Sequence, residues 1–112
     1  MARAYKILGQ SNPTANALTT LYTVPSSNSA IISSITVANL DETAGNGAAF
    51  RIAANVSGVA TGNANYLAYS VNVPARDTVT LTLGITLNAG SIVSVNANSS
   101  LLAFSAFGTE VY

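Results

Sequence analysis

Thr78-Val79-Thr80-Leu81-Thr82-Leu83-Gly84-Ile85-Thr86-Leu87 alternates without a break between an aliphatic residue and Thr or Gly. Successive side chains of a strand point to opposite faces. This period of two therefore puts Val79, Leu81, Leu83, Ile85 and Leu87 on one side and the threonines on the other. One side has to be buried. The other meets water without carrying a charge.

The same vocabulary recurs outward from this segment. Strands are predicted over residues 4–8, 18–24, 30–40, 49–56, 66–73, 79–87, 92–97 and 101–107. Between them lie turn signals: Pro25, Gly45-Asn46-Gly47, Gly62-Asn63, Pro74, Asn88-Ala89-Gly90 and Asn98-Ser99-Ser100. Glycine and asparagine supply turn conformations, and proline cannot donate to a sheet ladder. Parity over 49–56 puts Phe50, Ile52, Ala54 and Val56 on one face and Arg51, Ala53 and Asn55 on the other. Parity over 66–73 puts Leu67, Tyr69, Val71 and Val73 inward and Tyr66, Ala68, Ser70 and Asn72 outward. No window has a helical period. Short strands at this spacing predict an all-β fold, a two-sheet antiparallel β-sandwich of about eight strands in jelly-roll or related Greek-key order. The 112 residues suit a single domain, 1–112, with 1–10 a candidate N-terminal arm.

Charged residues make up only 7% of the chain, against about 25% in ordinary soluble domains. The bases are Arg3, Lys6, Arg51 and Arg76; the acids are Asp41, Glu42, Asp77 and Glu110; the net charge is zero. Aliphatic content is too high for a disordered chain. No apolar run approaches the roughly 18 residues of a membrane helix, and an outer-membrane barrel needs more chain than this. The start of the sequence does not read as a secretory signal, and no basic patch suits nucleic acid. Only Arg51 lies well inside a predicted strand. The sheet edges thus lack the charges that usually blunt them, which points to short edges or edges covered by neighbouring subunits.

Catalytic chemistry finds little material. Without His or Cys there is no Ser-His-Asp or Cys-His arrangement and no thiolate metal site. Asp41 and Glu42 are adjacent and would point apart. Asp77 and Glu110 could form a glycosidase-like pair only if folding brought them within about 5–10 Å. The loop 41–47 offers carboxylates and an amide but not the spacing of a calcium loop, and reads as a polar hairpin. Asn55-Val56-Ser57 and Asn98-Ser99-Ser100 match the glycosylation pattern, as chance allows in so Asn- and Ser-rich a chain. The expectation is therefore no enzyme, no cofactor and no metal. Tyrosine is enriched at protein interfaces because its ring is large, stiff and polar-tipped. Tyr5, Lys6, Tyr66 and Tyr112 are the interface candidates, with Arg76 and Asp77 as an inter-subunit ion pair or a self-bonded turn.

Several stretches resemble known proteins in their order. They are Leu8-Gly9-Gln10-Ser11-Asn12-Pro13, Leu18-Thr19-Thr20-Leu21-Tyr22-Thr23-Val24-Pro25, Ala30-Ile31-Ile32-Ser33-Ser34-Ile35-Thr36-Val37-Ala38-Asn39, Phe50-Arg51-Ile52, Tyr66-Leu67-Ala68-Tyr69, Asp77-Thr78 and Leu83-Gly84-Ile85-Thr86-Leu87. Together they cover nearly the whole chain and resemble a group of small tailed-bacteriophage virion proteins, prominent among cyanobacterial and other marine phages. The resemblance implies a structural part of a virion, with no catalytic residue to carry over. Two expectations follow. The first is a capsid cement or decoration protein on the capsid surface, bound to the major capsid protein as a homo-oligomer such as a trimer. The second is a tail or fibre component that contacts tail proteins or a host glycan. Neither requires direct contact with nucleic acid or membrane.

Overall fold

The computed structural model describes residues 2–56 and 61–112. Eight strands carry the chain: β1 (Arg3–Ser11), β2 (Thr19–Thr23), β3 (Ser29–Asn39), β4 (Ala48–Asn55), β5 (Tyr66–Val73), β6 (Thr78–Leu87), β7 (Ile92–Ala97) and β8 (Leu102–Val111). One sheet has the order β1-β8-β3-β6 and the other β2-β7-β4-β5, with every pairing antiparallel. The predicted two-sheet β-sandwich is thus the fold, and each predicted strand is present. The first and last run longer than expected. Residues 3–10, expected as an arm, lie along β8 as the edge strand of the first sheet. Part of the segment between the predicted strands 49–56 and 66–73, and of the Asn55-Val56-Ser57 match, falls outside the described residues.

The aliphatic stripes meet between the sheets. Ile35, Val37, Phe104 and Ala106 of the first sheet face Phe50, Ile52, Val93 and Val95 of the second, all essentially inaccessible to water. Phe50 and Phe104 touch edge to face across the gap, ring centres 5.9 Å apart, the geometry that aromatic quadrupoles favour. The inner residues Val79, Leu81, Leu83 and Ile85 of β6 pack against this cluster, while Thr78, Thr80, Thr82 and Thr86 are exposed.

Parity fails where strands bulge. In the first sheet the register slips at Ile7/Gly9 in β1 and at Ile32/Ser34 in β3, against both its neighbours. These slips lie side by side and kink the sheet along one line. Above the line β3 turns Ile35 and Val37 inward; below it, Ala30 and Ile32. In the second sheet β5 holds three steps, Val71 to Ala68, against two steps of β4, Phe50 to Ile52. The extra residue lies in a bulge, with Ser70 at φ 55. Ala68 thereby turns toward the core, and Leu67 and Tyr69, expected inward, are exposed. Val56, also expected inward, is exposed past the end of β4. Ala53 faces outward opposite Ser94 yet is buried, where the chain around Thr61 and Asn65 returns beside β4.

The strands run between two ends. One end holds the β3–β4 and β5–β6 connections. There Asn39 is buried, donating from Nδ2 to the carbonyls of Val73 (3.0 Å) and Asn46 (3.2 Å) and accepting at Oδ1 from the Asp41 N–H (3.0 Å). One side chain thus fastens both connections to the core. Asn39→Ala leaves these backbone groups without that partner and is expected to cost about 2 kcal/mol, read as a lower urea midpoint at unchanged slope. An unchanged midpoint would show that the loops are held some other way.

Candidate functional site

The outer face of the β2-β7-β4-β5 sheet carries a group of polar and aromatic side chains in mutual contact. Arg51 on β4 stands opposite Asn96 on β7. On its other side the β5 bulge presents Tyr69 and Ser70. Arg51 Nε donates to Ser70 Oγ (3.2 Å), and its guanidinium lies 4.0 Å from the centre of the Tyr69 ring. Tyr66 meets Tyr69 edge on, with centroids 5.0 Å apart. Two shallow hollows flank this stack. One, of about 320 Å³, is bounded by Asn16, Ala49, Arg51, Ser70, Asn96 and Asn98. The other, of about 450 Å³, is bounded by Asn63, Tyr66 and Tyr69. Asn98 Oδ1 accepts the Ala49 N–H (2.9 Å), which holds that side chain in place. Parity missed this group because the bulge reverses Tyr69. Arg51 alone inside a strand was its visible trace.

The interface candidates do not form one patch. Tyr5 is 75% exposed on the outer face of β1, and Tyr112 is exposed at the same end of the sandwich. Tyr66 is half-buried on the other sheet. Arg76 and Asp77 lie at the opposite end, in the turn between β5 and β6. Asp77 Oδ1 accepts the N–H of Thr78 at 2.8 Å, the self-bonded turn. No ion pair joins Arg76 to Asp77 among the described residues; Arg76 donates its backbone N–H to the Asp41 carbonyl.

Lys6 points the other way. Its Nζ lies 2.6 Å from Glu110 Oε1, while the hydroxyl of Tyr22, on the facing sheet, donates to Oε2 at 2.5 Å. Glu110 is buried between the sheets rather than solvated. Hydrogen bonds from Lys6 and then Tyr22 hold its carboxyl below the usual glutamate range. Burial first, and then the bond to Glu110, push the Tyr22 hydroxyl well above its ordinary value. The group is a clip between β1, β8 and β2. The even positions Leu102, Phe104, Ala106, Gly108 and Glu110 continue one inward stripe, which was the readable sign of the buried acid.

The remaining acids offer no paired chemistry. Glu110 pairs with Ala30 at one end of β3, and Thr78, beside Asp77, pairs with Ala38 at the other. Eight residues of strand separate them by roughly 26 Å, far beyond a glycosidase pair. Asp41 accepts from the Thr43 N–H (2.9 Å) and from Asn46 Nδ2 (3.2 Å). The same two bonds, Thr43 first, lower its carboxyl from the ordinary value. Among the described residues no three acids lie together as metal ligands would.

No protein-family model and no curated protein matches this chain. Among solved structures it is similar to two of a pentameric capsid protein isolated from metagenomic phage sequences. Each is 16% identical over 96% of this chain, with a TM-score of 0.29. The chain spans 60% and 58% of the length of those two chains.

Proposed function

We propose that this protein is a structural, non-catalytic component of a bacteriophage virion, a cement or decoration protein on the capsid surface bridging major capsid subunits. The ordered sequence resemblance supports the virion role. So does the strand arrangement: pairs β1–β8, β2–β7, β3–β6 and β4–β5 are what a long hairpin rolled into a two-sheet jelly roll produces.

The observation that carries the docking is the outer face of the β1-β8-β3-β6 sheet. Tyr5 pairs with Thr109 and Thr109 with Ile31, while Ile7 pairs with Phe107 in the next row. Tyr5, Ile7 and Ile31 are 75%, 53% and 40% exposed, and Arg3 is the one charge among these outward positions. Side by side, these rings and branched chains form an apolar surface of the sort that marks a protein contact. The uncharged threonine edge of β6 continues it. Repetition over many copies would turn modest contacts into tight occupancy. The chain acts as a homo-oligomer, a trimer being the arrangement suited to threefold junctions of a shell.

Quantitative mass spectrometry of whole particles and isolated heads tests the reading. Hundreds of copies retained on heads are expected. A Tyr5→Asp/Ile7→Asp protein should keep its fold and lose at least about 90% of its occupancy, since each charge must be desolvated at the contact. Heads devoid of the protein, or normal occupancy by the double variant, would refute it. The second reading, a tail or fibre component, is favoured by the Arg51–Tyr69–Tyr66 cluster on the opposite sheet, and a handful of copies confined to tails would select it.

A further inference from the structure

We propose that the outer face of the β2-β7-β4-β5 sheet is a saccharide-binding site, with Tyr69 and Tyr66 stacking against sugar rings and Arg51, Asn16, Asn96 and Asn98 bonding their hydroxyls. The inference holds wherever the chain sits in a particle, so the localisation test above and the test below fail independently.

Three features point to a sugar. First, the hollow beside Arg51 has an amide and hydroxyl lining with Ala49 as its sole apolar side chain. A sugar hydroxyl both donates and accepts, and so does each asparagine amide. An anion would call for donors alone, and an apolar peptide side chain would find nothing to bury against. Among the described residues the side-chain amides of Asn16 and Asn96, the amino group of Asn98 and the terminal amino groups of Arg51 make no hydrogen bond to another residue, whereas Asn98 Oδ1 and Arg51 Nε are engaged. These four residues line a space of about 320 Å³, at the small end of the range of about 300–1,000 Å³ for small-ligand sites. That volume suits one or two sugar rings in a shallow trough open for a longer chain.

Second, the trough continues past Arg51 onto an aromatic wall. Tyr69 is 57% exposed, and with Tyr66 and Asn63 it bounds the second hollow. The C–H face of a pyranose is apolar and flat, while its rim is polar. Rings beside amides reproduce that division. The stack on Arg51 keeps the Tyr69 ring in one orientation, which lowers the ordering cost of binding.

Third, the backbone is strained at the site itself. Asn16 and Ser70 hold φ values of 61 and 55, the left-handed region that side chains other than glycine adopt at a cost. The Ser70 conformation creates the bulge that turns Tyr69 outward. A regular strand would have buried the ring and left no site.

The test is titration of the ¹⁵N-labelled full chain with cellotetraose, chitotetraose and a mannuronate tetramer, followed by amide shifts. At least one probe should move Arg51, Tyr69, Ser70 and Asn96 saturably and leave β6 unmoved. Tyr69→Ala and Arg51→Ala should each weaken that binding by about tenfold or more. The shift map needs no variant, so it stands even if one of them folds poorly. Absence of saturable shifts with all three probes overturns the proposal, as do shifts confined to the β1-β8-β3-β6 sheet. Unweakened binding in both variants does the same. If the two variants instead alter sedimentation of a protein that binds no sugar, the face is a protein contact and the proposal is wrong.

Discussion

Gly108→Ala is expected to destabilise the protein by about 4 kcal/mol or more, a large fraction of the roughly 5–15 kcal/mol that holds a domain folded. Gly108 sits inside β8, paired with Lys6 on one side and Ile32 on the other. A Cβ there would overlap the carbonyl oxygen of Ile31 and lie 3.1 Å from Ile32 Cα. All of these are backbone atoms. β3 cannot retreat, because β6 pairs along its other edge. The close approach lies beside the slip at Ile32/Ser34, where β3 and β8 change register. Separating the strands would break ladder bonds on both sides of β8.

Urea denaturation followed by far-ultraviolet circular dichroism measures the effect. Gly62→Ala is the control, since its added carbon meets nothing nearer than 3.8 Å, and it should shift the midpoint little. Gly9→Ala falls between the two. Its Cβ would overlap the Leu21 carbonyl oxygen, but β1 and β2 are edge strands and can part. A Gly108→Ala protein as stable as the parent would mean that β8 and β3 do not approach as described.

These glycines mark what alternation alone conveys and what it hides. Thr78–Leu87 announces its own faces because each position repeats the same contrast. Side-chain alternation fixes which residues can share a face, and turn residues fix where strands stop, so the eight strands and two layers could be read directly. A bulge is one inserted residue, and nothing in Leu67-Ala68-Tyr69-Ser70-Val71 marks the insertion. Its cause lies in how β5 must bend to follow β4, a property of the pair. The Arg51–Tyr69 site was therefore invisible to parity, although both residues were in view. For β8 the limit was Gly108 itself. The predicted strand stops at residue 107, just before it, whereas β8 runs on to Val111 and carries the inward stripe to Glu110. Glycine there serves close approach between paired strands.

Glu110→Ala is expected to cost about 3 kcal/mol, because truncating one partner of a buried ion pair strands the others. Tyr22 would keep a buried hydroxyl without its acceptor. Lys6, half exposed, can turn toward water, which places the loss at the low end of the usual range of about 3–5 kcal/mol. Replacing the whole clip should behave differently. Lys6→Met, Tyr22→Phe and Glu110→Leu together remove every desolvated charge and donor at once, and the triple variant is expected to match or exceed the parent in stability. A triple variant as weak as Glu110→Ala would show that the clip contributes net stability of its own.

The same three residues shape the response to pH. The Glu110 carboxyl titrates lower folded than its ordinary 4.5. Its contribution is complete above that value and is lost as pH falls through the depressed folded value. Asp41, also lowered, acts in the same direction. Tyr22 is raised from 10.0. Below pH 10 its contribution is complete, and above it the unfolded chain ionises first, so stability falls as pH climbs. Stability measured by urea titration should thus be level between about pH 5 and 10 and decline on both sides. Tyr22→Phe should flatten the alkaline limb, and Glu110→Gln the acid limb. If both variants keep the parent's two limbs, the carboxylate between the sheets is not held by Lys6 and Tyr22, and the clip is absent from the folded protein.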